Sequence, residues 1–160
     1  MEPVIIEKPE FTVVGAELNT SLQGGQNAVD VPKFTEECLR KGIFDNVADR
    51  VNPAAMLGIA MDFEEDQSFT FVYGVEVDKA EKIPAGLKLH TIPTALYAVF
   101  TTKLEGPDSI IRQYVYIGEE WLPNSSQYKP AIAPGFEVYD ERSRRNEGAE
   151  CDIYVPVIRL

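Results

Sequence analysis

The sequence predicts an α+β fold made of two copies of a strand–helix–strand–strand unit in 160 residues. Three observations carry this. Strand-like and helix-like apolar patterns follow one another in the same order in each half. Gly58-Ile59-Ala60-Met61-Asp62 matches Phe136-Glu137-Val138-Tyr139-Asp140 in place and in its closing aspartate. Phe71-Val72-Tyr73-Gly74-Val75 matches Ile153-Tyr154-Val155-Pro156-Val157 in character. A lone βαββ unit buries its helix and sheet face poorly, so two packed units are expected, as one antiparallel-rich sheet or two abutting sheets. A ligand groove is expected between the repeats. The chain, 1–160, reads as a single domain, with repeat one at about 1–80 and repeat two at about 85–160.

In the first repeat, Val4–Leu18 reads as extended, with Phe11-Thr12-Val13-Val14 rich in strand formers. A polar loop over Asn19–Asp30 contains Gly24-Gly25. The helix is expected to open at Pro32, because a first helical residue does not need its N–H. Phe34, Cys38 and Leu39 form its predicted buried stripe, and Gly42 its stop. A second helical turn is expected around Ile43–Val51. Strands at Ala54–Phe63 and Ser68–Val77 flank the acidic hairpin loop Glu64-Glu65-Asp66-Gln67.

The second repeat opens with a strand in Leu87–Leu104, following a break at Pro93. A helix starts at Gly106-Pro107-Asp108, with Ile110, Ile111, Tyr114, Val115, Trp121 and Leu122 at helical spacing. Pro123-Asn124-Ser125-Ser126 ends it, and Phe136–Asp140 with Cys151–Ile158 forms a closing hairpin. The basic run Arg142-Ser143-Arg144-Arg145 falls in that hairpin's loop and reads as solvated.

Composition removes several function classes. The net charge of −11 repels phosphate backbones, so no direct nucleic-acid contact is expected. The same charge attracts cationic small molecules. Two cysteines, Cys38 and Cys151, are too few for a disulfide framework. The N-terminus lacks the pattern of a signal peptide, and no run approaches the ~20 apolar residues of a membrane span. A cytoplasmic protein without membrane contact is the expectation. The single histidine, His90, reads as structural. Metal-ligand spacing, phosphate loops and GxGxxG are lacking, so no metal and no cofactor are expected. That shifts weight from an enzyme toward a binding module.

Glu137 stands out against this background. Alternation puts Phe136 and Val138 on one face of their strand and Glu137 with Tyr139 on the other. If the first pair faces the helix, Glu137 faces the opposite side, toward the expected groove. A carboxylate ringed by tyrosines suits a flat lipophilic cation, through stacking, cation–π attraction and charge. A glutamate simply facing water is the alternative. Trp121 reads either as a helix-end core anchor or as a pocket wall, with Tyr128 as a second ring nearby.

Glu120-Trp121-Leu122-Pro123-Asn124-Ser125, Phe136-Glu137-Val138-Tyr139 and Asp152-Ile153-Tyr154-Val155-Pro156-Val157 resemble the effector-binding domain of the GyrI-like family. That family includes the ligand-sensing domains of multidrug-responsive and AraC-type regulators, gyrase inhibitors and stand-alone integron cassette proteins. The resemblance implies a pocket between the repeats for drug-like, often cationic aromatic molecules. Glu137 matches a strand glutamate that meets the ligand's charge, and Tyr139, Trp121 and Tyr97 are the wall candidates, in that order. Two rivals come with it: a hydrolase of an electrophilic small molecule with Glu137 as general base, and a gyrase-inhibitor-like interaction protein. The repeats occupy residues 1–160 and leave no room for a helix-turn-helix. Transcription regulation or drug response is therefore expected to run through a protein partner, a regulator or a topoisomerase.

Overall fold

The extended N-terminal run divides at Pro9-Glu10 into β1 (Val4–Lys8) and β2 (Phe11–Ser21), and the two strands serve different parts of the chain. The computed structural model describes residues 2–160. They form two compact units: a first, Glu10–Pro93, and a second that joins the residues up to Pro9 with Thr94–Leu160.

The first unit contains β2, α1 (Gln26–Arg40), β3 (Met56–Met61), β4 (Ser68–Val77) and β5 (Lys88–Ile92), with antiparallel sheet order β3-β4-β2-β5. Its helix starts well before the expected Pro32. Gly24 and Gly25 take left-handed φ values of 63° and 71°, turning the chain sharply enough for α1 to begin at Gln26. Pro32 is left inside the helix, where a proline costs about 3 kcal/mol. Packing outweighs that propensity: Val31, Phe34 and Cys38 sit against Phe71, Tyr73 and Val75 of β4. Leu39, expected in the stripe, is 56% exposed, and Val31 takes its place. Gly42 does end the helix, with φ 61° and its N–H on the Leu39 carbonyl at 3.1 Å. The stretch after it forms hydrogen-bonded turns rather than a second helix.

The second unit contains β1, β6 (Ala95–Lys103), α2 (Ser109–Tyr116), a π-helical turn (Ile117–Trp121), α3 (Leu122–Asn124), β7 (Tyr128–Pro130), β8 (Gly135–Tyr139) and β9 (Glu150–Arg159). Its strands run β1-β6-β9-β8, and β7 pairs with the far end of β9. The expected break at Pro93 separates β5 from β6.

Both units share one connectivity. In β2-α1-β3-β4 and in β6-α2-β8-β9, the last strand lies between the first and the third. The fold is α+β, with antiparallel sheets and a repeated βαββ order. Each first strand also carries an outer neighbour taken from elsewhere in sequence: β5 follows β4 and pairs β2, while β1 precedes β2 and pairs β6. The residue match between repeats is one position out. Ala60 packs with the helix-side cluster of its unit, while its neighbour Ile59, matched to Glu137 in the sequence, lies on the other face. Among the described residues, no helix is long and apolar enough to cross a membrane.

Candidate functional site

Register decides which way Glu137 points. It pairs with Ile153 of β9, which in turn pairs with Phe100 of β6. Ile153, Phe100 and Cys151 form the buried cluster beneath α2, together with Ile117. Glu137 and Tyr139 therefore face the helix, and the expectation that they face away from it is corrected. Phe136 goes to the opposite face, stacked on Tyr154 at 4.4 Å between ring centres. The reason lies in α2, which brings its own polar group over the strand and makes the helix side hospitable to a carboxylate.

That group is the Tyr114 hydroxyl, which donates to Glu137 Oε2 at 2.7 Å. The Tyr139 hydroxyl donates to Oε1 at 2.6 Å. One carboxylate is thus held by two phenols, one per oxygen, at the short distances typical of bonds to an anion. Among the described residues Glu137 has no ion-pair partner. Burial pushes its carboxyl above the usual range, and the two hydroxyls pull it only part of the way back. Burial and the Glu137 charge push the Tyr114 hydroxyl well up. They also push the neighbouring Cys151 thiol to about 12, so it stays neutral.

Tyr114 has two sides. Its hydroxyl reaches inward, yet the residue is 40% exposed, so its ring forms an outer wall beside the carboxylate. Ile111 and Val115 of the same helix, two of the apolar positions read at helical spacing, are 53% and 49% exposed and give α2 an apolar outer face. Ile110 and Ile117 supply the inward contacts instead.

The other expected residues separate. Tyr139 touches Glu137 directly. Trp121 is on the helix side, but it packs edge-on against Phe100 at 5.2 Å and parallel to Tyr128 at 6.2 Å. Tyr97 is fully buried on the opposite face, edge-on to Phe136 and Tyr154. Its hydroxyl, pushed to about 12 by burial, donates to the Pro134 carbonyl at 3.1 Å and fixes the chain entering β8. A surface cavity of about 400 Å³ in this unit is lined by Ser126, Gln127, Tyr128, Arg159 and Leu160 rather than by Glu137. Tyr114 was legible as a helical residue, but nothing in the sequence placed it opposite β8.

The hairpin loop is also more ordered than its composition implies. Asp140 caps a 3₁₀ turn (Glu141–Arg144) through a reciprocal pair with Ser143. Arg142, expected in solvent, is 25% exposed in its side chain and bonds both Asp140 and Asp152.

Residues 4–157 match the family described as "Cass2: Integron-associated effector binding protein". The chain belongs to this family. The resemblance read from the strand and helix motifs is therefore sound, and effector binding is the family's role. The transcriptional regulator BrlR of Pseudomonas aeruginosa is 28% identical over 159 residues, which is 98% of this chain and 56% of the relative. The chain thus spans little more than half of that regulator. Among solved structures, SAV2435 bound to tetraphenylphosphonium superposes with a TM-score of 0.82 at 21% identity, covering 99% of this chain and 94% of that one. An integron cassette protein from the mobile metagenome of Vibrio cholerae gives 0.62 at 17% identity, covering 99% and 97%. These likenesses establish the fold of this effector-binding protein.

Proposed function

We propose that this effector-binding protein takes lipophilic aromatic cations at Glu137, with Tyr114 and Tyr139 as its hydroxyl partners and aromatic walls. The observation that carries this reading is the carboxylate itself, partly buried and held by two hydroxyl donors with no ion-pair partner among the described residues. A buried carboxylate without a counter-charge is costly. An arriving cation supplies that charge, and the electron-rich faces of the tyrosines add cation–π attraction. A ligand without N–H groups, such as a phosphonium, fits a carboxylate whose two oxygens already accept hydrogen bonds. The tetraphenylphosphonium on SAV2435 supports the ligand class, and the apolar outer face of α2 supports its lipophilicity.

Binding a cation favours the charged carboxylate, so it lowers a pKa that burial had raised. Affinity should therefore increase as pH rises through the titration of Glu137 in the free protein. A regulatory role through a protein partner accords with the likeness to BrlR. Calorimetric titration with tetraphenylphosphonium tests the reading. Saturable binding weakened in Glu137→Gln supports it, and equal affinity in both proteins rejects it.

A further inference from the structure

Both oxygens of the Glu137 carboxylate are already hydrogen-bond acceptors. The Tyr139 hydroxyl donates to Oε1 at 2.6 Å and the Tyr114 hydroxyl to Oε2 at 2.7 Å. The donors come from different elements, Tyr139 from the same strand and Tyr114 from α2. An ionised carboxyl offers about four lone-pair sites over its two oxygens. Neither oxygen of Glu137 is left without a donor, so any further N–H must share its acceptor with a phenol. The Cys151 thiol, which lies in the same field, is a weak acceptor. The phenol oxygens can accept as well, but a bond to a neutral oxygen is roughly half as strong as one to a carboxylate.

We propose that Tyr114 and Tyr139 determine specificity: with one hydroxyl on each Glu137 oxygen, they select quaternary ammonium or phosphonium ions over protonated amines. This rests on the reading of Glu137 as the anchor and says which cations that anchor prefers. A protonated amine leaves strong hydrogen bonds to water and needs acceptors of its own in the site. On either Glu137 oxygen its N–H stands beside an O–H aimed at the same atom, two positive hydrogens in mutual repulsion. A quaternary ion makes no such demand. Its charge is spread over C–H groups, so it draws on the field of the whole carboxylate and on the tyrosine ring faces. The hydroxyls thus help the quaternary ion, by favouring the charged carboxylate, and handicap the amine. Selection of this kind comes as much from a poor contact with the rejected ligand as from a good one with the accepted ligand.

The neighbouring surface favours the same class. Ile111 and Val115 stand exposed on α2 to either side of Tyr114 in sequence. Their side chains offer contact area to an aromatic cation and no acceptor to an N–H.

The test uses two ligands with one aromatic body, naphthylmethyltrimethylammonium and naphthylmethylammonium, both cations near neutral pH. Their affinities are measured by calorimetry for wild type, Tyr114→Phe, Tyr139→Phe and Glu137→Gln. The readout is the ratio of the two affinities in each protein, so the contribution of the methyl groups cancels when proteins are compared. Wild type should favour the quaternary ion. Each tyrosine variant should shrink that preference about tenfold, because a freed carboxylate oxygen gives the amine one hydrogen bond to a charged group. If one tyrosine variant fails to fold, the other carries the test. An equal loss of affinity for both ligands would make the tyrosines supports of the carboxylate only and overturn the proposal. A wild type that favours the amine would overturn it too. In Glu137→Gln both ligands should bind more weakly. If they do, and the ratio is the same in wild type and the tyrosine variants, the anchor stands and the selection fails. If Glu137→Gln binds both as tightly as wild type, or wild type binds neither, the anchor reading itself fails and this inference with it.

Discussion

Replacing Glu137 with glutamine removes a charge while keeping size and shape, and the proposed anchor role predicts opposite signs for its effects on stability and on binding. In the free protein the carboxylate gains two charge-assisted bonds, each about 1 kcal/mol stronger than the neutral bonds a glutamine would make. Against that roughly 2 kcal/mol stands desolvation, and the upward direction of the carboxyl's pKa says desolvation is the larger. A folded pKa above the unfolded one means the unfolded chain ionises more readily, so wild type loses stability as pH rises through that range. Glu137→Gln should therefore match or exceed wild type in thermal stability at neutral pH, with a gap that narrows in acid. Binding goes the other way. A unit charge about 5 Å from the carboxylate at an effective dielectric constant of about 20 is attracted by roughly 3 kcal/mol. Losing it should weaken tetraphenylphosphonium by roughly a hundredfold. Thermal melts over a range of pH and calorimetric titrations measure both. A variant that melts lower by more than about 1 kcal/mol and binds as tightly as wild type would refute the reasoning.

Other outcomes follow from the same geometry. Tyr114→Phe and Tyr139→Phe each remove one donor and should each cost about 1–2 kcal/mol of cation affinity near neutral pH, read by calorimetry. Because Tyr114 lends its ring as well, Tyr114→Ala should cost more than Tyr114→Phe. For a permanently charged ligand, affinity should climb with pH above the ordinary carboxylate range and then level off; a flat profile would count against titration of Glu137. Pro32→Ala should stabilise the first unit by about 1–3 kcal/mol in chemical denaturation, since Pro32 is exposed inside α1. It should leave ligand affinity unchanged.

Much of the architecture was legible because period and punctuation agreed. Ser68–Val77 is a strand over its full expected length, Gly42 ends α1, and Pro93 breaks the chain between β5 and β6. The helix start was misread because Pro32 advertises a first-turn position, while the decisive signal was two left-handed glycines. Within the candidate site, Glu137 and Tyr139 were legible as a same-face pair, two residues apart on one strand. Their face was not, because alternation alone cannot say which side the helix covers. That depends on Ile153 and Phe100, which lie on other strands. Tyr114 was missed for the same reason: its partner is 23 residues away and meets it only through packing. Arg142 reads as one of several loop cations until Asp140 and Asp152 converge on it, a long-range consequence of register.

The central claim is that Glu137 is an anionic anchor kept ready by two hydroxyls and charged fully by its ligand. Its most direct test is the pH titration of the Glu137 carboxyl carbon, with and without saturating tetraphenylphosphonium. The account predicts a titration above the ordinary carboxylate range in the free protein that moves down when the cation binds. A titration that stays in place at saturation would contradict it.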